Sequence, residues 1–138
     1  MGGRLDTIQA AILLAKLPHY TQELAGRQQV AQRYTDTLSD RLQMPVIRSN
    51  RSSAWAQYTV RVNNRDALQA KLKDNGIPTA VHYPLPLHLQ ECFQHLNCKQ
   101  GDFPISEKAS NEVMSLPLNS LITDKEINYI IKELSYQI

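Results

Sequence analysis

A helix near the start of this 138-residue sequence, apolar on nearly every side, most constrains how the chain can fold. Apolar residues recur at three- and four-residue steps across residues 5–16, which predicts an α-helix. They are Leu5, Ile8, Ala10, Ala11, Ile12, Leu13, Leu14 and Ala15. Such a helix has to be covered all round. The rest of the sequence predicts only a small sheet, so we expect a further domain or a partner subunit to cover it.

Pro18 marks the end of this helix. A proline inside a helix removes a backbone donor and crowds the preceding turn, at a cost of about 3 kcal/mol. The sequence therefore predicts two helices, or one kinked helix, joined over residues 17–20. The second helix, over residues 21–42, carries a polar face typical of contact with solvent.

The pattern after residue 45 alternates short strands with helices. The predicted strands cover residues 54–62, 77–83 and 113–118, and the predicted helices cover 64–76, 88–96, 103–114 and a last helix from about residue 123. Thr123 and Glu126 form a capping box at the start of that last helix. We expect an α+β fold, with a helical arm over residues 1–45 and a small α+β domain over residues 46–138, its sheet covered by helices.

Charge and composition exclude several classes of function. The 15 Lys and Arg exceed the 13 Asp and Glu by two, with no basic run, so nucleic acid is not an expected partner. The longest apolar stretch, residues 10–15, is far below the roughly 18 residues that span a bilayer, and no membrane association is expected. We expect a cytoplasmic protein with Cys92 and Cys98 as free thiols.

Polar and aromatic side chains concentrate between residues 79 and 98. One hypothesis is a metal site built from His88, Cys92, His95 and Cys98, although their spacing on one continuous segment matches no common zinc module. The other is a small-molecule pocket, because His82 and Tyr83 follow a predicted strand and precede Pro84. The structural alternative has His82 capping the sheet and Tyr83 packed in the core.

Arg4 stands just before the apolar helix. An arginine beside a helix N-terminus favours an anion such as a phosphate or carboxylate. A solvated arginine at a frayed terminus is the structural alternative.

Several short motifs, taken together and in order, resemble one protein family. They are RLDTIQAAIL at 4–13, KL at 16–17, Arg27, Arg33 with Tyr34, AWAQYTV at 54–60, GIPT at 76–79, HYP at 82–84, PLH at 86–88 and SLPL at 115–118. Each motif is weak alone, but their order across the whole chain resembles the sugar aminotransferases of the DegT/DnrJ/EryC1/StrS family.

The resemblance implies a pyridoxal-phosphate enzyme of the aspartate-aminotransferase fold type I, of which this chain is the C-terminal part with the small domain and its mainly antiparallel sheet. Such enzymes move an amino group, usually from L-glutamate, to a keto group on a nucleotide-linked sugar, for surface-polysaccharide or glycan biosynthesis. The cofactor lysine and the acidic partner of the pyridine nitrogen precede the matched segment. The chain alone is therefore expected neither to bind pyridoxal phosphate nor to transaminate.

The resemblance also implies roles for individual residues. His82 and Tyr83 match residues that line the sugar-nucleotide side of the pocket, and His88 matches a second histidine near them. Arg4 matches an arginine that reaches toward the opposite subunit of a homodimer. Gly2 stands where the family commonly has an asparagine that contacts the cofactor phosphate. A non-catalytic small-molecule-binding or interaction module of the same fold is the alternative.

Overall fold

The computed structural model describes residues 5–138, so Gly2 and Arg4 lie outside the described residues. The α-helices and β-strands in this part of the chain follow the order helix, helix, strand, helix, helix, strand, helix. The helices are α1 (Thr7–Lys16), α2 (Tyr20–Leu38), α3 (Arg65–Asp74), α4 (Pro104–Glu112) and α5 (Asp124–Gln137), and the strands are β1 (Tyr58–Arg61) and β2 (Val113–Leu116). The predicted α+β class, a helical arm followed by a small antiparallel sheet covered by helices, is confirmed.

The two N-terminal helices meet at Pro18, as the sequence predicts. A 3₁₀ turn over Leu17–His19 joins α1 to α2. The second helix ends earlier than expected, at Leu38, whose carbonyl accepts hydrogen bonds from the backbone N–H groups of both Arg41 and Leu42 at 3.0 Å. That turn directs the chain toward the sheet.

Strands β1 and β2 pair antiparallel, with Tyr58 opposite Leu116 and Arg61 opposite Val113. The predicted strand over residues 54–62 is shortened to four residues. Trp55 has a φ of +47°, a left-handed conformation that interrupts an extended strand at its start. The strand predicted over residues 113–118 is also shorter, because β2 ends at Leu116, before Pro117.

The strand predicted over residues 77–83 is wrong in extent. Only Ala80 pairs with the sheet, through a bridge to Ser115 with backbone N···O distances of 2.7 and 3.2 Å. Pro78 and Pro84 flank this bridge, and prolines lack the N–H group that a longer ladder needs.

The predicted helix over residues 88–96 is also wrong in type. The segment forms two 3₁₀ turns, Leu87–Leu89 and Glu91–Leu96, with Gln90 extended between them. Since Gln90 has a ψ of 143°, the helical hydrogen bonds cannot continue through it. The next predicted helix is confirmed as α4.

The core lies between the sheet and helices α2, α3 and α5. Its largest fully buried side chains are Tyr34, Tyr58, Leu38, Leu72, Ile77, Met114, Leu134 and Val60. The Tyr34 hydroxyl donates to the Pro117 carbonyl at 2.8 Å, and the Tyr58 ring lies 5.4 Å from that of Tyr34. Burial, and then the neighbouring Tyr58, raise the pKa of Tyr34 well above its usual range. The second half of α2 thus packs against the sheet and is hydrogen-bonded to the residue that follows β2.

The capping box predicted for α5 is confirmed. Thr123 Oγ1 accepts from the Glu126 backbone N–H at 3.3 Å, and the Glu126 carboxylate accepts from the Thr123 backbone N–H at 2.8 Å. The hydrogen bonds from the Thr123 side chain and then its backbone lower the pKa of Glu126. The helix therefore starts with its first N–H groups partly satisfied.

The first helix contrasts with the rest of the fold, because α1 buries none of its residues. Ile8 is 75% exposed and Leu14 is 69% exposed. Within residues 5–138, no helix combines the length and the hydropathy needed to cross a membrane.

Candidate functional site

His82 and Tyr83 lie where the chain leaves the sheet, two and three residues after the Ala80 bridge. Ser115 of β2 is buried, and its hydroxyl lies 2.9 Å from Thr59 Oγ1 and 3.4 Å from His82 Nδ1. The last distance is at the long end of the hydrogen-bond range. The sheet therefore holds one edge of the His82 ring by a weak contact, and the ring remains exposed.

Tyr83 projects away from the core. Its side chain is 72% exposed, and its ring meets the His82 ring edge to face at 6.0 Å. The structural alternative of a core tyrosine is therefore wrong for Tyr83. An exposed aromatic face beside an imidazole offers a stacking surface and a switchable hydrogen-bonding group.

A cavity of about 240 Å³ opens beside these two rings. It is lined by His82, Tyr83, Leu85, Pro86, Leu87, Gln90, Ser106, Ala109, Ser110 and Val113. Half of the lining residues are apolar, and the other half carry a polar group, a mixture that suits a polar ligand such as a sugar ring.

The structure does not bring His88 together with His82 and Tyr83. His88 Nε2 lies 3.0 Å from Glu107 Oε1, and its ring packs on Phe103 with the centroids 4.8 Å apart. The His88 side chain is only 9% exposed and does not line the 240 Å³ cavity. In this arrangement, His88 fastens the segment that follows Tyr83 to α4.

Glu107 is a residue that the sequence analysis missed. Its carboxylate accepts hydrogen bonds from the Gly101 N–H at 2.8 and 3.0 Å and from the Phe103 N–H at 3.3 Å, besides the His88 contact. The Gly101 backbone donor is the main cause that lowers the pKa of Glu107, with smaller contributions from His88 and Phe103. The signal in the sequence was an acid in the first turn after Pro104.

The metal hypothesis gains no support from the geometry. His95 Nδ1 lies 3.2 Å from the Cys92 carbonyl oxygen, and Cys98 Sγ lies 3.7 Å from the Leu96 carbonyl oxygen. Both cysteines are free thiols. Across residues 5–138, no three His, Cys, Asp or Glu side chains come close enough together to hold one ion.

Comparisons with known proteins agree over nearly the whole chain. The model of the DegT/DnrJ/EryC1/StrS aminotransferase family matches residues 1–135. The UDP-2-acetamido-2-deoxy-3-oxo-D-glucuronate aminotransferase of Pseudomonas aeruginosa is 43% identical over 98% of this chain and 37% of its own length. The pleiotropic regulatory protein of Geobacillus stearothermophilus is 40% identical over 96% of this chain and 37% of its own length.

A solved structure gives the same answer for the fold. The crystal structure of a DegT DnrJ EryC1 StrS aminotransferase from Brucella abortus superposes with a TM-score of 0.91 at 38% identity, over 97% of this chain and 36% of that one. The chain thus spans little more than a third of the length of the relatives it matches. It belongs to the DegT/DnrJ/EryC1/StrS aminotransferase family.

Proposed function

We propose that this chain is the C-terminal part of a pyridoxal-phosphate-dependent aminotransferase. The complete enzyme moves an amino group from an amino acid, L-glutamate by preference, to a keto group on a nucleotide-linked sugar, in surface-polysaccharide or glycan biosynthesis. The observation that carries this proposal is the family match over residues 1–135. It is supported by relatives whose names describe nucleotide-sugar aminotransferases, such as that of P. aeruginosa.

In this proposal, His82 and Tyr83 bind and orient the sugar. The exposed Tyr83 ring offers an apolar face for one side of a pyranose ring. The weak contact to Ser115 holds His82 Nδ1 and leaves Nε2 available to hydrogen-bond a hydroxyl or phosphate oxygen. Such contacts contribute to catalysis by orientation, because they hold the keto carbon in one place.

His88 and Glu107 hold the segment after Tyr83 against helix α4. We assign His88 the role of a positioning residue, since its Nε2 is engaged by Glu107. Their contact fixes the residues that follow Tyr83 against α4, which narrows the conformations that the binding segment can adopt.

The residues around His82 do not fit pyridoxal phosphate by themselves. The 240 Å³ cavity is lined by neither a lysine nor a carboxylate, whereas the cofactor needs a lysine to bind covalently and an acid beside its pyridine nitrogen. No catalytic step is therefore assigned to this chain's own residues. In this proposal, the lysine and the acid that carry out amino transfer belong to the part of the complete enzyme that precedes the matched segment.

The arm supports a proposed homodimer of the complete enzyme. The exposed leucines of α1, such as Leu13 and Leu14, form an apolar surface that a second subunit would bury. We place Arg4 toward the active site of the opposite subunit, and Gly2 at the position near the cofactor phosphate.

We also propose the division into an arm over residues 1–45 and a small domain over residues 46–138, with the second half of α2 packed on the domain. We place the enzyme in the cytoplasm, where the free thiols of Cys92 and Cys98 would persist.

A non-catalytic module of the same fold is the second candidate. One observation favours it: a relative 40% identical to this chain is named a pleiotropic regulatory protein. The two candidates differ in whether a bound nucleotide sugar is aminated.

Replacing His82 with Ala in the complete enzyme tests the proposal. We expect the apparent KM for the keto-sugar nucleotide to rise about tenfold, because one hydrogen bond to the substrate is lost. The visible absorption of the cofactor should not change. His95→Ala is the matched control, since His95 does not line the cavity. Unchanged turnover and KM in His82→Ala would show that His82 does not bind the substrate. If the wild-type complete protein does not aminate the sugar either, the non-catalytic module is favoured.

A further inference from the structure

A second and larger cavity, of about 630 Å³, lies at the end of the sheet. It is lined by Arg41, Leu42, Gln43, Arg61, Val62, Asn63, Asn64, Ala67, Leu68, Lys71, Lys108, Glu112, Gln137 and Ile138. None of these residues lines the cavity beside His82 and Tyr83. The two cavities are therefore separate sites of the same fold.

The net positive charge of the chain gathers around this larger cavity. Its wall carries four cations, Arg41, Arg61, Lys71 and Lys108, and one acidic side chain, Glu112, which gives an excess of +3. The whole sequence has an excess of only +2, so the residues outside the wall sum to −1. Even with a terminal carboxylate at Ile138, the excess at the wall remains +2.

The one acidic side chain is already neutralised. Arg61 donates to Glu112 Oε2 from Nη2 at 2.6 Å and from Nε at 3.1 Å. Lys108 Nζ lies 3.8 Å from the other carboxylate oxygen. Arg41 donates one N–H to the Ser135 carbonyl at 2.7 Å, and Lys71 forms no ion pair with any residue of the 5–138 range. Most of the positive charge is thus uncompensated.

The base of the cavity is rigidly held. Leu42, Val62 and Leu68 are each at most 7% exposed. The Arg61 N–H donates to the Gln43 carbonyl at 3.0 Å, and the Val62 N–H donates to the Glu112 carbonyl at 2.9 Å. The backbone that carries the cations is therefore fixed before any ligand arrives, which reduces the entropy lost on binding.

We propose that this cavity binds a small, multiply charged phosphate compound such as a diphosphate. Cations clustered around a concave site raise the local positive potential and the concentration of anions. Guanidinium and ammonium groups are the side chains that bind phosphate oxygens. A volume of about 630 Å³ lies in the range of small-ligand sites, and an excess of +2 to +3 matches a diphosphate better than a single carboxylate.

The test is a titration of the 138-residue chain with sodium pyrophosphate, followed by ¹⁵N–¹H NMR at constant ionic strength. We expect saturable shifts in the amide signals of Gln43, Arg61 and Asn64, and smaller shifts with inorganic phosphate. Lys71→Ala should weaken the pyrophosphate affinity about fivefold, because it removes one cation from the wall.

Lys73→Ala is the matched control, since Lys73 is an exposed lysine of the same helix that does not line the cavity. It should change the affinity by less than twofold. Equal weakening in both variants, shifts spread over the whole surface, or the absence of saturable shifts would each overturn the proposal. Because both lysines are exposed, the variants should retain the wild-type spectrum before titration.

Discussion

Helices α1 and α5 both carry aliphatic residues at helical spacing, yet the structure treats them in opposite ways. In α5, Ile127, Ile130 and Leu134 are at most 5% exposed. In α1, which is the more apolar helix, no residue is buried. The difference teaches that burial depends on the surface available to a helix as well as on its own hydrophobicity. The α5 face contacts α2 and α3, whereas nothing in residues 5–138 buries a residue of α1.

The largest difference in stability is expected when one leucine of each helix is replaced with alanine. Leu134→Ala should lower the free energy of unfolding of the chain by about 2 to 5 kcal/mol, because it leaves a cavity in the core. Leu14→Ala should change it by less than about 0.5 kcal/mol, because Leu14 is 69% exposed. Urea unfolding measures both variants. A similar loss in the two would show that α1 is covered in solution.

A smaller test concerns the link between the arm and the core. Tyr34→Phe in α2 should lower the free energy of unfolding by about 1 kcal/mol, since the hydrogen bond to the Pro117 carbonyl is lost. Tyr20→Phe is the control, because Tyr20 is half exposed on the arm. Thermal unfolding of the two variants would contradict the expectation if their midpoints fell equally.

The free energy of unfolding should depend on pH through Glu126 at the start of α5, a contribution that the exposed arm does not share. The pKa of Glu126 is lowered in the folded chain below its usual 4.5. Its ionised form therefore stabilises the fold above that pH, and this contribution is lost as the pH falls below about 4.5. Glu126→Gln should flatten part of the stability loss between pH 5 and pH 3 in urea titrations. An unchanged slope would remove Glu126 from the pH dependence.

The smallest effect on stability is expected from the arm itself. Replacing Leu13 and Leu14 together with Gln should change the free energy of unfolding by less than about 0.5 kcal/mol, because both side chains are more than half exposed. The same change should reduce self-association of the chain in sedimentation velocity, since exposed apolar patches drive association. Val46→Gln, at another exposed position, is the control. Strong destabilisation by the double change would reverse the contrast between α1 and α5.

Sequence patterns predicted the joint and the caps of the longer helices well, although they placed the end of α2 four residues too late and predicted a helix over residues 88–96, where the structure has two 3₁₀ turns. The Pro18 joint, the Thr123 capping box and the end of α3 near Gly76, with its φ of +73°, all depend on neighbours in sequence. The strands were predicted less well. Trp55 has high strand propensity, but its buried indole donates to Gln28 and its backbone adopts a positive φ, so the strand starts three residues later.

The candidate site shows the same division. The position of His82 and Tyr83 after a predicted strand suggested a pocket, and both residues line one cavity in the structure. His88 was grouped with them because it is close in sequence, but Glu107, nineteen residues away, holds its ring. The four cations of the larger cavity come from four separate segments, and no local pattern joins them.

The sequence by itself determined the resemblance to the family, the joint at Pro18 and the capped start of α5, because these depend on local chemistry and on the order of short motifs. Only the tertiary structure decided which histidine faces a cavity, how far each strand extends and where positive charge gathers. Those properties depend on contacts between segments far apart in the chain, and the physical reason is that burial and electrostatic potential are set by all neighbours in space.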